Sequence, residues 1–313
     1  MDYLITGGAG FIGSNITEHL VGQGSRVRVF DNFSTGKRTN VSAFAAKAEI
    51  VEGDLRDSKS IQQAVKGVRY ILHLGAIPSV TRSVEDPLST NEANITGTVN
   101  LLIAARDAGV KRVVFTSSSS VYGDTPTLPK REDMPPSPLS PYAVHKITGE
   151  YYCRIFWQLY GLETVALRYF NVFGPRQDPQ SEYAAVIPRF IMAILRDESP
   201  TIFGDGTQTR DFSHVENIIA ANLRACTAPK EALGQSFNIA CGGRISLLDL
   251  VGTVNRILGK QVKPKFNPGR PGDILHSQAD IAKAEGLLGW KPSVSFPEGI
   301  AKTVAWYQKS ADL

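Results

Sequence analysis

At 313 residues, 42% hydrophobic and 20% charged, the chain exceeds the length at which single cores stop growing, and two lobes around one cleft are expected. Its 34 Lys and Arg are scattered among 30 Asp and Glu, giving a net charge of +4 and a pI near 8.9, without the basic run that would point to a nucleic-acid partner. No stretch approaches the ~20 apolar residues of a membrane span.

In chain order, short β-branched or apolar runs at Tyr3 to Thr6, Arg26 to Phe30, Glu49 to Glu52, Tyr70 to Leu74, Arg112 to Thr116 and Thr164 to Arg168 alternate with helix-like stretches. That rhythm predicts an α/β fold with a parallel sheet wrapped on both faces. The opening run from Tyr3 to Thr17 follows Asp2 and no basic residue, so it reads as a buried strand and turn, not a leader. Beyond Asn171 the pattern changes to Pro- and Gly-rich loops at 173–179 and 267–273, with helices expected near 184–196, 215–228, 246–258 and 297–309. A smaller mixed α/β lobe is expected there. The run Ser236 to Ala240 reads as one more strand returning to the main sheet, so the division is 1–171 with 214–242 against 172–213 with 243–313. Cys153, Cys226 and Cys241 lack C-x-x-C spacing and read as buried free thiols of a cytoplasmic protein, with no metal site.

The first strand is followed by Thr6-Gly7-Gly-Ala-Gly10-Phe-Ile-Gly13 and then by a helical stretch. Glycines there let a pyrophosphate approach the backbone, and the helix N-terminus supplies N–H groups and the positive end of its dipole. Asp31, ending the second strand, suits the adenosine ribose hydroxyl and favours NAD over NADP, since a 2′-phosphate would meet a like charge. Lys37 and Arg38 nearby pull the other way. Asp54 follows the third strand as an adenine contact or a strand-end cap. Leu74-Gly-Ala76 leaves room for a cofactor to pass over the fourth strand, and Asn94 opens a helical run to Ala108.

Tyr142 and Lys146 lie i and i+4 on a predicted helix, hence on one face. An ammonium there is expected to lower the phenol pKa from about 10 towards the working pH and make it a general base. The serine run Thr116-Ser-Ser-Ser-Ser-Val-Tyr-Gly123 lies upstream at a strand end.

With these residues in view, the chain resembles the extended short-chain dehydrogenase/reductase family, and within it the nucleotide-sugar 4-epimerases. The likeness runs over nearly the whole length through Gly7 to Gly13, Ser118 with Tyr142 and Lys146, Leu167-Arg-Tyr-Phe-Asn-Val-Phe-Gly174, Arg210-Asp-Phe and Arg270-Pro-Gly-Asp273. Pro78-Ser-Val-Thr-Arg-Ser83, Tyr183-Ala-Ala-Val-Ile-Pro188 and His276-Ser-Gln-Ala-Asp280 are similar to the UDP-N-acetylglucosamine 4-epimerases. The resemblance implies a Rossmann doubly wound sheet, tightly bound NAD and a homodimer built from the helices carrying Asn94 and Tyr142. It assigns the sugar 4-hydroxyl proton to Tyr142, the nicotinamide ribose to Lys146 and a bond to the reacting oxygen to Ser118, with Ser119 and Ser120 as neighbouring candidates. By the same pattern, NAD would meet Gly7, Gly10, Phe11, Ile12, Gly13, Asp31, Asn32, Ser34, Gly36, Asp54, Leu55, Leu74, Ala76, Asn94, Tyr142, Lys146 and Tyr169. The UDP-sugar would meet Ser79, Arg82, Ser118, Ser119, Tyr142, Asn171, Ala185, Val186, Phe190, Thr201, Phe203, Arg210, Arg270, Asp273 and Ser277.

Family dehydratases carry an Asp-Glu pair where this chain has Ser119-Ser120, and decarboxylases a glutamate at the Ser120 position. Elimination of water needs a proton acceptor and a donor that serines do not supply. Oxidation and re-reduction at C4 needs one acid/base and one hydride acceptor. Ser277, where narrow epimerases have a bulky tyrosine, leaves room for a 2-acetamido group. The expected reaction is therefore UDP-GlcNAc/UDP-GalNAc and UDP-Glc/UDP-Gal interconversion. UDP-glucuronate epimerisation, with Arg82 on the acid, and a non-catalytic NAD-binding sensor are the alternatives.

Overall fold

The computed structural model describes residues 1–179, 185–269 and 275–311. In the first half, strands β1 (Tyr3–Thr6), β2 (Val27–Asp31), β3 (Glu49–Glu52), β4 (Tyr70–His73), β5 (Arg112–Ser118) and β6 (Glu163–Tyr169) alternate with helices α1 (Phe11–Gly22), α2 (Arg38–Ser42), α3 (Ser58–Ala64), α4 (Val80–Glu85), α5 (Pro87–Asn91), α6 (Gly97–Asp107) and α7 (Pro141–Tyr160). Short strands β7 (Val172–Phe173), β8 (Thr201–Phe203), β9 (Thr209–Arg210) and β10 (Ser213–His214) come next, then β11 (Gln235–Ile239), β12 (Ile245–Ser246) and β13 (Lys265–Asn267). Helices α8 (Val186–Leu195), α9 (Val215–Cys226), α10 (Leu247–Leu258), α11 (Ala282–Leu288) and α12 (Phe296–Ala311) accompany them.

The main sheet has seven parallel strands in the order β11-β6-β5-β4-β1-β2-β3. Winding reverses between β1 and β4, which pair Thr6 with His73. Ligands of such sheets bind where the winding reverses, outside the carboxyl ends of the strands. Strand β11 does return to this sheet, beside β6. The serine run differs from expectation, because β5 continues to Ser118, opposite Tyr169, where a strand ending at Thr116 was expected. The predicted helix from Asn94 also differs: Glu92–Thr96 is a π-helical turn and regular α-helix begins at Gly97. Residue 184, the expected start of α8, lies outside the described residues.

One apolar cluster joins α1, α9 and Trp290 to one face of the sheet; another joins α3, α6 and α7 to the other face. A third, around Phe173, Phe190, Ile202, Leu250 and Tyr307, lies among α8, α10 and α12. Cys153 and Cys226 are buried free thiols, whereas Cys241 is half-buried.

The catalytic-motif helix α7 starts where it does for local reasons. Ser140 accepts the Ala143 N–H at 3.2 Å, Pro141 occupies the first turn, and Gly161 closes the helix in the left-handed conformation. A buried ion pair then ties it to the sheet. Glu150 binds Arg168 of β6 through Nε at 2.9 Å and Nη2 at 2.7 Å, accepts the Ser117 hydroxyl of β5, and accepts the Ser236 hydroxyl of β11 at 2.7 Å. Both charges are almost fully buried, so removing one partner strands the other. Arg168→Met alone should destabilise the protein by roughly 3–5 kcal/mol in denaturant titration, and Arg168→Met with Glu150→Gln should recover most of that loss.

Candidate active site

The glycine turn after β1 is shaped by close backbone approach. Gly7 has φ +68°, and a Cβ on it would stand 2.7 Å from the Gly75 nitrogen; a Cβ on Gly13 would strike the Gly7 carbonyl oxygen. Gly10 is the N-cap of α1 and brings no capping side chain, so the first amides of α1, at Phe11 and Ile12, open onto the turn. A cradle of this form fits a dinucleotide pyrophosphate.

Asp31 is buried at the end of β2, accepting the Ala9 N–H at 2.9 Å and the Phe33 N–H at 2.8 Å, and burial raises its carboxyl above the ordinary range. Gly36 packs on Ala9 beside it, and Asn32 accepts the Ser34 N–H at 3.0 Å. The two neighbouring cations have carboxylate partners of their own: Lys37 pairs with Asp178 at 2.6 Å and Arg38 with Glu52 at 2.7 Å. Asp54 is bound to Arg56 at 2.7 Å, which holds its carboxyl well below the ordinary range, and takes an Asn32 N–H at 2.8 Å. Leu55 lies against Gly75 and Gly97, while Leu74 and Ala76 flank Gly75 half-buried. Tyr169, paired with Ser118 across the sheet, is buried in the apolar cluster against which Ile12 and Leu74 also pack, with its hydroxyl bonded to Asn222 at 2.7 Å and Thr116 at 3.4 Å.

Ser118, Tyr142 and Lys146 come together at the ends of β5 and α7. The Ser118 hydroxyl stands near the Tyr142 phenol and favours its ionised form, and it accepts the Ser120 N–H at 3.2 Å. Lys146 Nζ lies 5.6 Å from the Tyr142 ring centre and 5.3 Å from that of Phe115, and donates to the Thr116 carbonyl at 2.8 Å. The expected lowering of the phenol pKa is not what these contacts produce. Burial pushes Tyr142 up to about 12, only partly opposed by Ser118, and pushes Lys146 down to about 8. Proximity was visible in the spacing; desolvation was not. Ser119 is half-buried, and the hydroxyl of Ser120 is buried without a partner.

Seven of the residues assigned to the sugar nucleotide (Asn171, Ala185, Val186, Phe190, Thr201, Phe203 and Arg210) line one cavity of about 290 Å³ between α8, β8 and β9. The Arg210 guanidinium is braced by the carbonyls of Thr209 at 3.0 Å and Leu275 at 3.2 Å. Asn171, at φ +31°, reaches Ser277 Oγ at 3.5 Å. Ser79 caps α4, accepting the Arg82 N–H at 3.0 Å, and the Arg82 side chain is exposed. Arg270 and Asp273 lie outside the described residues. A larger cavity of about 540 Å³, at the outer edge of β11, contains none of the assigned residues.

Sequence reasoning missed Gln177, Arg189 and Gln208, which also line the smaller cavity. It also gave no role to Ser83, buried, whose hydroxyl accepts the Tyr142 N–H at 3.0 Å and so fixes the start of α7. His73 and His145, two of only five histidines, sit against the site and were signalled by nothing beyond adjacency to its motifs. Asn94 is buried, bonded to both backbone groups of Ile77 at 2.7 and 3.2 Å and to His145 at 3.2 Å.

A family model described as NAD dependent epimerase/dehydratase family matches residues 3–240. A UDP-glucose 4-epimerase of Mycolicibacterium smegmatis is 40% identical over 315 residues, covering 99% of this chain and 100% of that protein. The solved UDP-N-acetylglucosamine 4-epimerase from Methanobrevibacter ruminantium, in complex with UDP-N-acetylmuramic acid, is 40% identical with a TM-score of 0.94, over 99% of this chain and 98% of that one. UDP-glucuronic acid 4-epimerase from Bacillus cereus, in complex with UDP-glucuronic acid and NAD, is 33% identical with a TM-score of 0.90, over 99% and 100%.

A lysine held at about 8 when folded and at its usual 10.5 when unfolded weakens the fold below pH 8, and that penalty fades as pH rises towards 10.5. Nucleotide-free Lys146→Met should therefore melt at a higher temperature than wild type at pH 7, by a margin that shrinks as the pH approaches 10.5. Thermal melts across that range check it.

Proposed function

The chain belongs to the NAD dependent epimerase/dehydratase family, and from that premise we propose that, as a UDP-sugar 4-epimerase, it interconverts UDP-GlcNAc with UDP-GalNAc and UDP-Glc with UDP-Gal through a 4-keto sugar. The observation that carries the reading is the Ser118–Tyr142–Lys146 cluster standing beside serines, not carboxylates, at 119 and 120. NAD, when bound, supplies a reversible hydride acceptor, so that inversion at C4 involves no net redox change. The glycine cradle and the carboxylate of Asp31 fit its pyrophosphate and adenosine ribose.

The remaining work belongs to side chains of this chain. Tyr142 Oη holds or gives up the proton of the sugar 4-hydroxyl, and Ser118 bonds the same oxygen. A phenol near 12 is a proton donor at neutral pH, so its use as a base requires positive charge brought close when the site is filled. Lys146 contributes part of that charge and binds the nicotinamide ribose. Arg210, joined by Arg270, neutralises the UDP pyrophosphate, and the apolar wall of Phe190 and Phe203 faces the nucleotide. A firm grip on UDP with few polar groups on the hexose lets the flat ketone turn over. We assign residues 1–171 with 214–242 to NAD and the remainder to the UDP-sugar.

The small Ser277 side chain beside Asn171 supports the acetamido-tolerant reading. A glucuronate needs a cation, and Arg82, on α4 near Asp86, is the candidate for that alternative. The sensor alternative gives no reason for the assembled triad. A homodimer is supported by α7, whose outer face exposes Val144, Tyr151, Tyr152, Ile155 and Leu159. Among the described residues no helix is long and apolar enough to cross a membrane.

Incubation with UDP-GlcNAc, UDP-Glc and UDP-glucuronate, with chromatographic separation of products, should show turnover of the first two and NAD among the nucleotides released on denaturation. Tyr142→Phe should abolish it, by roughly 10²-fold or more. Ser277→Tyr should suppress N-acetylated turnover while sparing UDP-Glc; unaffected N-acetylated turnover would discard the gate. In sedimentation, wild type should run as a dimer and Ile155→Glu as a monomer.

A further inference from the structure

Beneath the site runs a chain of buried polar groups that the acid/base machinery does not use. The Gly75 N–H donates to Thr6 Oγ1 at 3.1 Å, and Thr6 Oγ1 lies 2.7 Å from His73 Nδ1. On the other side of the ring, His73 Nε2 lies 2.9 Å from Thr98 Oγ1, which donates its one proton to the Asn94 carbonyl at 2.7 Å. That last bond decides every proton in the series. With its hydrogen committed to Asn94, Thr98 can only accept, so His73 carries its proton on Nε2; Nδ1 is then an acceptor, and the Thr6 hydroxyl donates to it. The Asn94 amide continues in the same direction to Ile77 and to His145 Nδ1 on α7.

The series therefore joins the backbone between β4 and α4, against which the glycine turn packs, to the residue preceding Lys146. It also holds the π-helical turn that carries Asn94. We infer that His73 is a positioning residue: its Nε2–H tautomer, locked between Thr6 and Thr98, sets the Asn94 turn and through it the placement of Lys146 and Tyr142 against the dinucleotide turn. A protonated ring has no acceptor role at Nδ1 and would reverse the Thr6 bond. Its surroundings oppose protonation as well, since it is fully enclosed, stands 5.8 Å from the Phe115 ring and feels the charge of Lys146.

The inference rests on the epimerase reading, and the test separates the two. Misplacement of about 1 Å costs roughly 10²-fold in rate, so Thr98→Val and His73→Leu are expected to lower kcat by about ten- to a hundred-fold. KM for the UDP-sugar and the amount of NAD bound per folded protein should stay within about two-fold. Thr98→Ser, which keeps the hydroxyl, should behave as wild type, and His73→Gln, which restores a donor towards Thr98, should recover part of the rate. In wild type, ¹⁵N NMR of the His73 ring should show the Nε2–H tautomer at pH 7. An Nδ1–H or doubly protonated ring overturns the inference, as does Thr98→Val with wild-type kcat. A rate loss matched by loss of folded protein overturns it too, leaving His73 a residue of the fold alone. If wild type converts no UDP-sugar, the epimerase reading fails and this inference falls with it.

Discussion

Helix α7 meets β5 at Gly149, where the Phe115 ring occupies the space a side chain would fill, and the relative position of Ser118, Tyr142 and Lys146 follows from that contact. The glycine alone would allow sliding. The Glu150 carboxylate, held by Arg168 and by Ser117 and Ser236, fixes the register of the helix against three adjacent strands at once. Ser117 faces Glu150 and Ser118, the next residue on the pleated strand, faces Tyr142, so one strand end contributes both to the anchor and to the site. A buried ion pair is a weak source of stability against an apolar substitute, but it is strongly directional, and a site built on two elements depends on direction.

Much of this was legible in the sequence because it is local. Alternating apolar runs and helix-length segments gave the sheet, the glycine spacing gave the turn, and the i, i+4 relation put Tyr142 and Lys146 on one face. What escaped is long-range. β8 and β13, three residues each, pair across a gap of more than sixty positions and carry no periodic signal. The smaller cavity draws its walls from segments around Asn171, Phe190, Phe203 and Leu247, so residues such as Gln177 and Gln208 have no motif to mark them. Ser83 is an ordinary helix serine until the fold brings α4 against the start of α7.

The Tyr142 discrepancy has the same origin. Charge proximity is a property of spacing, whereas desolvation is a property of the folded surroundings, and here desolvation dominates for both partners: phenol up to about 12, ammonium down to about 8. At neutral pH the phenol is therefore uncharged, beside a lysine that still carries most of its charge. Stability is sacrificed to hold the lysine there, in keeping with the usual conflict between packing and reactivity.

Among the described residues, the ionisable groups near the cluster are mostly enclosed or matched. Asp31 is enclosed by backbone amides, Asp54 is matched by Arg56, Glu150 by Arg168, and the two nearby histidines are held neutral by burial. Lys146 Nζ lies 5.6 Å from the Tyr142 ring centre, and positions 119 and 120 carry serines in place of carboxylates. A carboxylate at either position would offer a proton acceptor for elimination and would also oppose the ionisation of Tyr142 that the proposed epimerisation uses. On the proposed reading, the uncharged serines withhold the chemistry of dehydration and add no like charge beside the phenol.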